Sequence, residues 1–325
     1  MLLIALVLLI ALVVDWRLGE PPSWCHPVVW IGKALGWAGR RVAPLDGPVP
    51  APDPDYKSFW LGALVWCTGA AMVCIAAVAA QKGLLWLPQH FRSLWATALA
   101  VLLLGLLLKP LLAWAMLYSE VQAVEDALAQ SLDAGRERLS WLVSRDVTQL
   151  SESEVRESAI ESLAENLNDS VVAPIFWFLL LGLPGAALYR FANTADAMWG
   201  YRGVRNGQVW EWAGKWAAWA DDVLSWLPAR ITAVLLLLVS GGRGWRALVT
   251  QAAYTPSPNS GWPMAAMALA LDVRLGKPGV YILHPTGRAP GAVDMYRAGI
   301  HARNALLALV LLALLALFFV AKWVP

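Results

Sequence analysis

The sequence predicts an all-α, polytopic integral membrane protein with about four to six spanning or re-entrant helices and a helical cytoplasmic region. Three observations carry this. Of 325 residues, 59% are hydrophobic and only 15% are charged. The mean hydropathy is +0.55, above what soluble domains show. Several apolar runs approach the roughly 20 residues that cross a bilayer as a helix. The net charge of +2 argues against a nucleic-acid partner. The three cysteines, Cys25, Cys67 and Cys74, form no CxxC spacing, so neither a disulfide framework nor a zinc site is indicated.

The elements follow in order. Residues 1–14 lack a basic n-region and a clear small-x-small cleavage site, so they read as a retained anchor that extends through Trp16. Segments 59–80 and 94–117 read as spans. Lys109-Pro110 kinks the second or ends its membrane portion. Residues 44–55, rich in Pro and Asp, read as a loop. Residues 118–170 form a polar, mostly helical loop, and 305–321 is a final span. Two segments are ambiguous: 171–189 contains Pro174, Gly182, Pro184 and Gly185, and 231–240 is about half the usual spanning length. The excess of Lys and Arg on the cytoplasmic side is greatest if neither crosses fully, so both are expected to be re-entrant or buried half-helices. Such breaks are tolerated at membrane depth where they line a protein-enclosed cavity. The expected organisation is one membrane-embedded domain over 1–325, with a motif-bearing region at 190–304.

Chemistry concentrates in ESAIESLAENLNDSVVAP, residues 157–174. Ser151 and Glu154 have the spacing of a capping box, which starts a helix running to about Asp169. At 100° per residue Glu154, Glu157, Glu161, Glu165 and Asp169 form one stripe about 120° wide. One reading is a solvated acidic face. Against it, like charges at i,i+4 destabilise a helix, and the stripe ends beside an apolar segment where unpaired charge is expensive. A hard cation such as Mg²⁺, its shell completed by phosphate oxygens, meets both objections. Acid–base work by paired carboxylates is the other functional option.

Further polar residues stand beside apolar runs: Arg190, Asn193, Asp196, Tyr201, Asp221, Asp222, Arg230 and Asn259. Arg190 reads as a snorkelling flank or a phosphate ligand, and Arg230 as a partner of Asp222 or a phosphate ligand. Asp221-Asp222 reads as a helix N-cap or a metal ligand set. Asn259 in SPNSG reads as a turn residue on sequence grounds. His26, in a Pro-rich turn after the first span, is structural or ligand-binding. Trp212, Trp216, Trp219 and Trp226 fall near helical spacing and suggest a helix in the membrane interface.

Together the motifs DWRLGEPPSWCHPVVWIG, ESLAENLNDSVVAP, FANTADAMWGYR, DDVLSWLPARITA and SPNSGWPMAAMA resemble, in order and over most of the chain, the CobD/CbiB family of cobalamin-biosynthesis membrane proteins. Ser170 stands where that family often has Gly, and Ser225 where Asn is usual. The resemblance implies an adenosylcobinamide-phosphate synthase: an ATP- and Mg²⁺-dependent ligase joining adenosylcobyric acid to (R)-1-aminopropan-2-ol O-2-phosphate. It implies a multi-pass protein of the bacterial cytoplasmic membrane, its active site facing the cytoplasm, with membrane lipids and other cobalamin-assembly enzymes as partners. On that footing Glu161, Glu165 and His26 are the expected catalytic residues. Glu165, Asp169, Asp221 and Asp222 are the expected metal ligands. Asn166, Arg190, Asn193, Asp196, Arg230 and Asn259 are the expected nucleotide or substrate contacts. No Walker A sequence is present. An AmpE-like membrane sensor and a small-molecule transporter are the competing classes, the second because Pro- and Gly-broken helices carry ionisable groups.

Overall fold

The computed structural model describes residues 1–47, 53–242 and 244–323. Residues 48–52 of the expected Pro/Asp-rich loop lie outside that set. The helices, in chain order, are α1 (Leu2–Leu18), α2 (Pro27–Val42), α3 (Tyr56–Phe91), α4 (Leu94–Leu108), α5 (Trp114–Leu128), α6 (Leu132–Leu139) and α7 (Glu152–Leu167). They continue with α8 (Ala173–Leu181), α9 (Leu183–Trp199), α10 (Lys215–Val239), α11 (Trp245–Ala252), α12 (Gly261–Leu271) and α13 (Ala292–Trp323). The strands among the described residues form two short antiparallel hairpins, β1 (Val204–Arg205) with β2 (Gln208–Val209) and β3 (Leu275–Lys277) with β4 (Tyr281–Leu283). The protein is therefore all-α in class.

Among the described residues, four helical stretches are long and apolar enough to cross a membrane: Tyr56–Phe91, Leu94–Leu128, Lys215–Val239 and Ala292–Trp323. The second includes the break expected at Lys109-Pro110, a 3₁₀ turn over Lys109–Leu111 that ends α4. The third corrects the reading of 231–240 as a half-helix. That apolar run is the last part of α10, whose charged and Trp residues all lie between Lys215 and Arg230. By contrast, 171–189 is interrupted as expected. α8 stops at Gly182, whose φ of 72° is a conformation that β-carbon-bearing residues rarely adopt. The side chain of Gln81 fills the break and accepts a hydrogen bond from Leu183 N at 2.7 Å.

The chain divides into two compact units. One comprises 2–112 and 174–224. In it α1 packs on α4, and α9 packs on α2 and α3. Aromatic rings set among small residues make its core. Trp199 stacks on Trp210 with ring centroids 6.0 Å apart, Trp66 meets Phe191 edge-on, and Ala192, Ala195, Ala213 and Ala217 fill between. Small side chains let the helix backbones approach where bilayer lipid gives apolar packing little advantage.

The other unit comprises Met1, 113–173 and 225–325. Its centre is α7, surrounded by α5, α6, α12, α13 and β3. Ser151 accepts from Glu154 N, and Glu154 accepts from Ser151 N at 2.7 Å, so the expected capping box is present. After Leu167 the helix widens into a π turn over Asn168–Val172. That turn presents Ser170 O to Ala113 N at 3.1 Å, satisfying an amide at the start of α5.

Candidate functional site

The acidic stripe of α7 is not solvated. Glu157 is 3% exposed and Glu161 5%. The stripe divides by partner. Glu154 is used by the cap. Glu157 takes Arg274 at 3.1 Å; burial holds its pKa above the ordinary carboxylate range, while the Arg274 hydrogen bond opposes the rise. Glu161 and Glu165 instead face a cavity.

That cavity has a volume of about 200 Å³ and lies within one compact unit. α7 contributes Ser158, Glu161, Ser162, Glu165 and Asn166 to its lining. Arg145 enters from the turn that follows α6, and Lys277 and Tyr281 from the β3–β4 hairpin. Residues 158, 161, 162, 165 and 166 share one helix face because they recur at i, i+3, i+4, i+7 and i+8. The site joins two carboxylates to two cations and a phenol.

The Glu161 carboxyl is strongly perturbed. Burial pushes its pKa from 4.5 up to about 7, with the neighbouring Glu157 charge adding to the rise. Arg145, whose Nη2 lies 3.5 Å from Oε2, pulls it down, as do the Tyr281 hydroxyl and the charge of Lys277. Its Oε1 is buried with no hydrogen bond of good geometry. Burial and the two carboxylates push the Tyr281 phenol well above its ordinary value, so it remains a proton donor. Arg145 is held in place by Ser158, whose hydroxyl in turn donates to Glu154 O at 2.6 Å. Asn166 Nδ2 is tied to Ser162 O at 2.9 Å, which leaves its carbonyl oxygen toward the cavity lining.

The other expected site residues lie elsewhere. Asp169 stands on the π turn, where its Oδ1 accepts from Asn168 Nδ2 at 2.8 Å. Asn168 is fixed in turn by the Thr232 hydroxyl at 3.1 Å. The π turn breaks the 3.6-residue repeat, so the simple 100° projection does not carry Asp169 onto the cavity face with Glu165. Arg230 and Asn259 do meet, Nη1 to Oδ1 at 2.8 Å. Arg230 also donates to Trp226 O and lies between the Trp226 and Trp262 rings, its guanidinium carbon 4.4 and 4.6 Å from their centroids. Asn259 is thus more than a turn residue.

Arg190, Asn193 and Asp196 follow one another at i, i+3 and i+6 on α9, with Arg190 Nη1 3.4 Å from Asn193 Oδ1. Asp221 and Asp222 are not a helix N-cap, because α10 begins at Lys215. His26 is a cap: its Nδ1 accepts from Val28 N at 3.2 Å at the start of α2, and its Nε2 lies 2.9 Å from Glu20. Glu20 also holds Lys109 at 2.9 Å, and Lys109 reaches the fully buried Asp15 at 3.4 Å. Asp221, Asp222, Arg190, Asn193, Asp196 and His26 all belong to the compact unit that does not contain the cavity. Among the described residues no group of three or more His, Cys, Asp or Glu gathers as a metal site.

Three cavity residues escape the sequence reading: Arg145, Lys277 and Tyr281. Arg145 follows a short turn and Lys277 and Tyr281 lie on a hairpin of three-residue strands, so no periodic pattern marks them.

A family model described as CobD/Cbib protein matches residues 8–317. The chain is 40% identical over 284 residues to the probable cobalamin biosynthesis protein CobD of Methanothermobacter thermautotrophicus, covering 85% of this chain and 86% of that protein. It is 42% identical over 278 residues to the cobalamin biosynthesis protein CobD of Chromobacterium violaceum, covering 84% and 81%. It is 34% identical over 323 residues to the probable cobalamin biosynthesis protein CobD of Methanothrix thermoacetophila, covering 95% and 96%. No solved structure gives a significant match.

Proposed function

The chain belongs to the CobD/CbiB family, and from that premise we propose that it is a membrane enzyme of cobalamin biosynthesis, an adenosylcobinamide-phosphate synthase. The reaction joins the propionate carboxyl of adenosylcobyric acid to the amine of (R)-1-aminopropan-2-ol O-2-phosphate, with ATP as co-substrate. The observation that carries the assignment is the grouping of Glu161 and Glu165 with Arg145 and Lys277 around one cavity.

A carboxylate is a poor acyl donor. Its oxygen attacks the terminal phosphorus of ATP, ADP leaves, and the mixed anhydride that results is open to the amine. The amine nitrogen then attacks the acyl carbon, inorganic phosphate leaves, and the nitrogen sheds one proton. Glu161, buried at the cavity with Oε1 making no hydrogen bond, is the group that receives it at that atom. Arg145 and Lys277 are the cations for phosphate oxygens, acting where charge shifts during transfer. The Tyr281 hydroxyl donates to Met264 Sδ at 3.7 Å and lies close enough to the Glu161 carboxylate to favour its charged form. Asn166 offers an amide oxygen to the amine. A volume of about 200 Å³ admits phosphate and a small amine, not a corrinoid ring, so the macrocycle stays outside with only its propionate arm reaching in.

The donor set suits magnesium. Mg²⁺ uses one or two carboxylates and completes its octahedron with water and substrate phosphates. Glu165, on the cavity lining, is the carboxylate that would hold it. When bound, magnesium neutralises phosphate charge at the cavity. Asp169, Asp221, Asp222, Arg190, Asn193, Asp196, Arg230, Asn259 and His26 are assigned no step in this scheme.

The test is an assay of the purified full chain with adenosylcobyric acid, aminopropanol phosphate and Mg-ATP. Amide product with matching ADP release is expected, and Glu165→Gln abolishes it while the protein remains monodisperse in detergent. Near-normal turnover of Glu165→Gln would remove that residue's role. No turnover by the wild-type chain would remove the enzyme assignment.

A further inference from the structure

We infer that α2 is a membrane-surface helix whose exposed stripe binds the headgroups of anionic phospholipid, independently of the ligase reading. Taking Trp30 as the origin at 100° per residue, Lys33, Trp37, Arg40 and Arg41 fall within about 100° of one another. All five are exposed, and Trp30 and Trp37 are 53% and 56% exposed. The opposite face carries Leu35, Gly39 and Val42, all buried in the core that holds Trp199 and Trp210. The helix is therefore committed on one side and open on the other, with indoles and cations alternating along the open side.

Three further observations point to lipid. First, residues 21–45 contain no Asp or Glu, so nothing in the chain there neutralises Lys33, Arg40 or Arg41. Second, the cations are arranged with indoles as at a lipid headgroup layer. The Arg41 guanidinium stacks over Trp37 at 4.0 Å and donates to Trp37 O at 2.9 Å. The Trp30 indole N–H donates to Trp24 O at 2.9 Å, and the ring remains 53% exposed. Third, the preceding turn and α1 end continue the composition: Trp24 is 76% exposed, Trp16 is 72% exposed, and Arg17 lies 5.5 Å from the Trp16 ring. Indole rings favour the headgroup boundary, and lysines and arginines there attract anionic lipid. A soluble acidic partner explains the cations but not the exposed indoles. A second copy of the same stripe meets it with like charge.

The test uses the full-length protein. Ala34, on the open side, is replaced by Cys in a variant with Cys25, Cys67 and Cys74 changed to Ser, and a nitroxide is attached. The chain is reconstituted in phosphatidylcholine vesicles with a quarter phosphatidylglycerol. Collision with oxygen and with a water-soluble nickel complex is expected to place the label at headgroup depth. A fully aqueous position overturns the proposal, and so does spin–spin broadening between labels, which marks an interface between copies. In parallel, native mass spectrometry of detergent-purified protein counts retained phosphatidylglycerol against phosphatidylcholine. The triple change Lys33→Gln, Arg40→Gln, Arg41→Gln leaves the buried face intact. It is expected to weaken phosphatidylglycerol retention roughly fivefold per cation, the equivalent of about 1 kcal/mol for each Lys or Arg at an anionic surface. Unchanged selectivity in the triple variant overturns the proposal.

Discussion

Arg145 and Glu161 stand 3.5 Å apart across the cavity, guanidinium Nη2 to carboxylate Oε2, and the arginine is what prevents burial from keeping that carboxyl protonated well above neutrality. The pair converts a buried acid into one that changes charge within the physiological range. Two of the expected outcomes below come from this relationship, and two from elements outside the cavity.

Glu161 binds its proton more tightly folded than unfolded, because its pKa rises from 4.5 to about 7. Its contribution is therefore favourable below the unfolded value and is lost as pH rises through about 7. Over that window the loss amounts to about 3 kcal/mol, at 1.36 kcal/mol per pKa unit. Glu161→Gln, studied without magnesium or nucleotide, is expected to flatten the fall in thermal midpoint between about pH 5 and pH 8. A fall as steep as that of the wild type would mean that Glu161 is not the group responsible.

Removing Arg145 moves the same titration. Arg145→Gln withdraws the strongest opposing charge, so the Glu161 pKa climbs above 7. Under the ligase reading, the acid limb of kcat/KM shifts to higher pH, and Arg145→Lys moves it back part of the way. A lower rate with an unmoved acid limb would show that the arginine acts only on phosphate.

Lys109 is 3% exposed and its ammonium serves both Asp15 and Glu20. Lys109→Met removes the cation that meets the fully buried Asp15 and is expected to destabilise the protein by about 3–5 kcal/mol. Adding Asp15→Asn should recover much of the loss. Urea titrations of the two variants in the same detergent test this, and equal midpoints for the single and double variants contradict the pairing.

Gly182 closes α8 in a backbone conformation that alanine rarely adopts, against the Gln81 side chain. Gly182→Ala is expected to destabilise the protein by about 1–3 kcal/mol. The loss appears as a lower thermal midpoint followed by tryptophan fluorescence. An unchanged midpoint would mean that the break tolerates a β-carbon.

Long apolar runs announce themselves, so the helices containing 59–80, 94–117 and 305–321 are legible in the sequence. The second half of α10 is legible too, but its length is not. Asp221, Asp222 and Arg230 interrupt the hydropathy of one continuous helix, because position within a fold decides whether a charged residue ends a span or rides in it. In the cavity, Glu161 and Glu165 are readable because one helix face presents both, while Asn166 is reached only through the family resemblance. Arg145, Lys277 and Tyr281 are not readable, since tertiary folding brings them from separate segments. Asp169 is misplaced by a projection that assumes α-helical spacing through a π turn. Glu157 illustrates the limit of reading charge as solvation: its partner Arg274 lies 117 residues away.

The Asp15–Lys109 contact also imposes an order on biogenesis. Ribosomal synthesis delivers α1 long before α4, so the nascent helix carries Asp15 before its Lys109 partner exists. Until α4 emerges, that carboxyl has to be protonated or hydrated, because an isolated charge in hydrocarbon is strongly disfavoured. Emergence of Lys109 brings a cation to within 3.4 Å of that carboxyl and joins the two segments. The ion pair therefore belongs to a late step of assembly, because its two halves are made far apart in time.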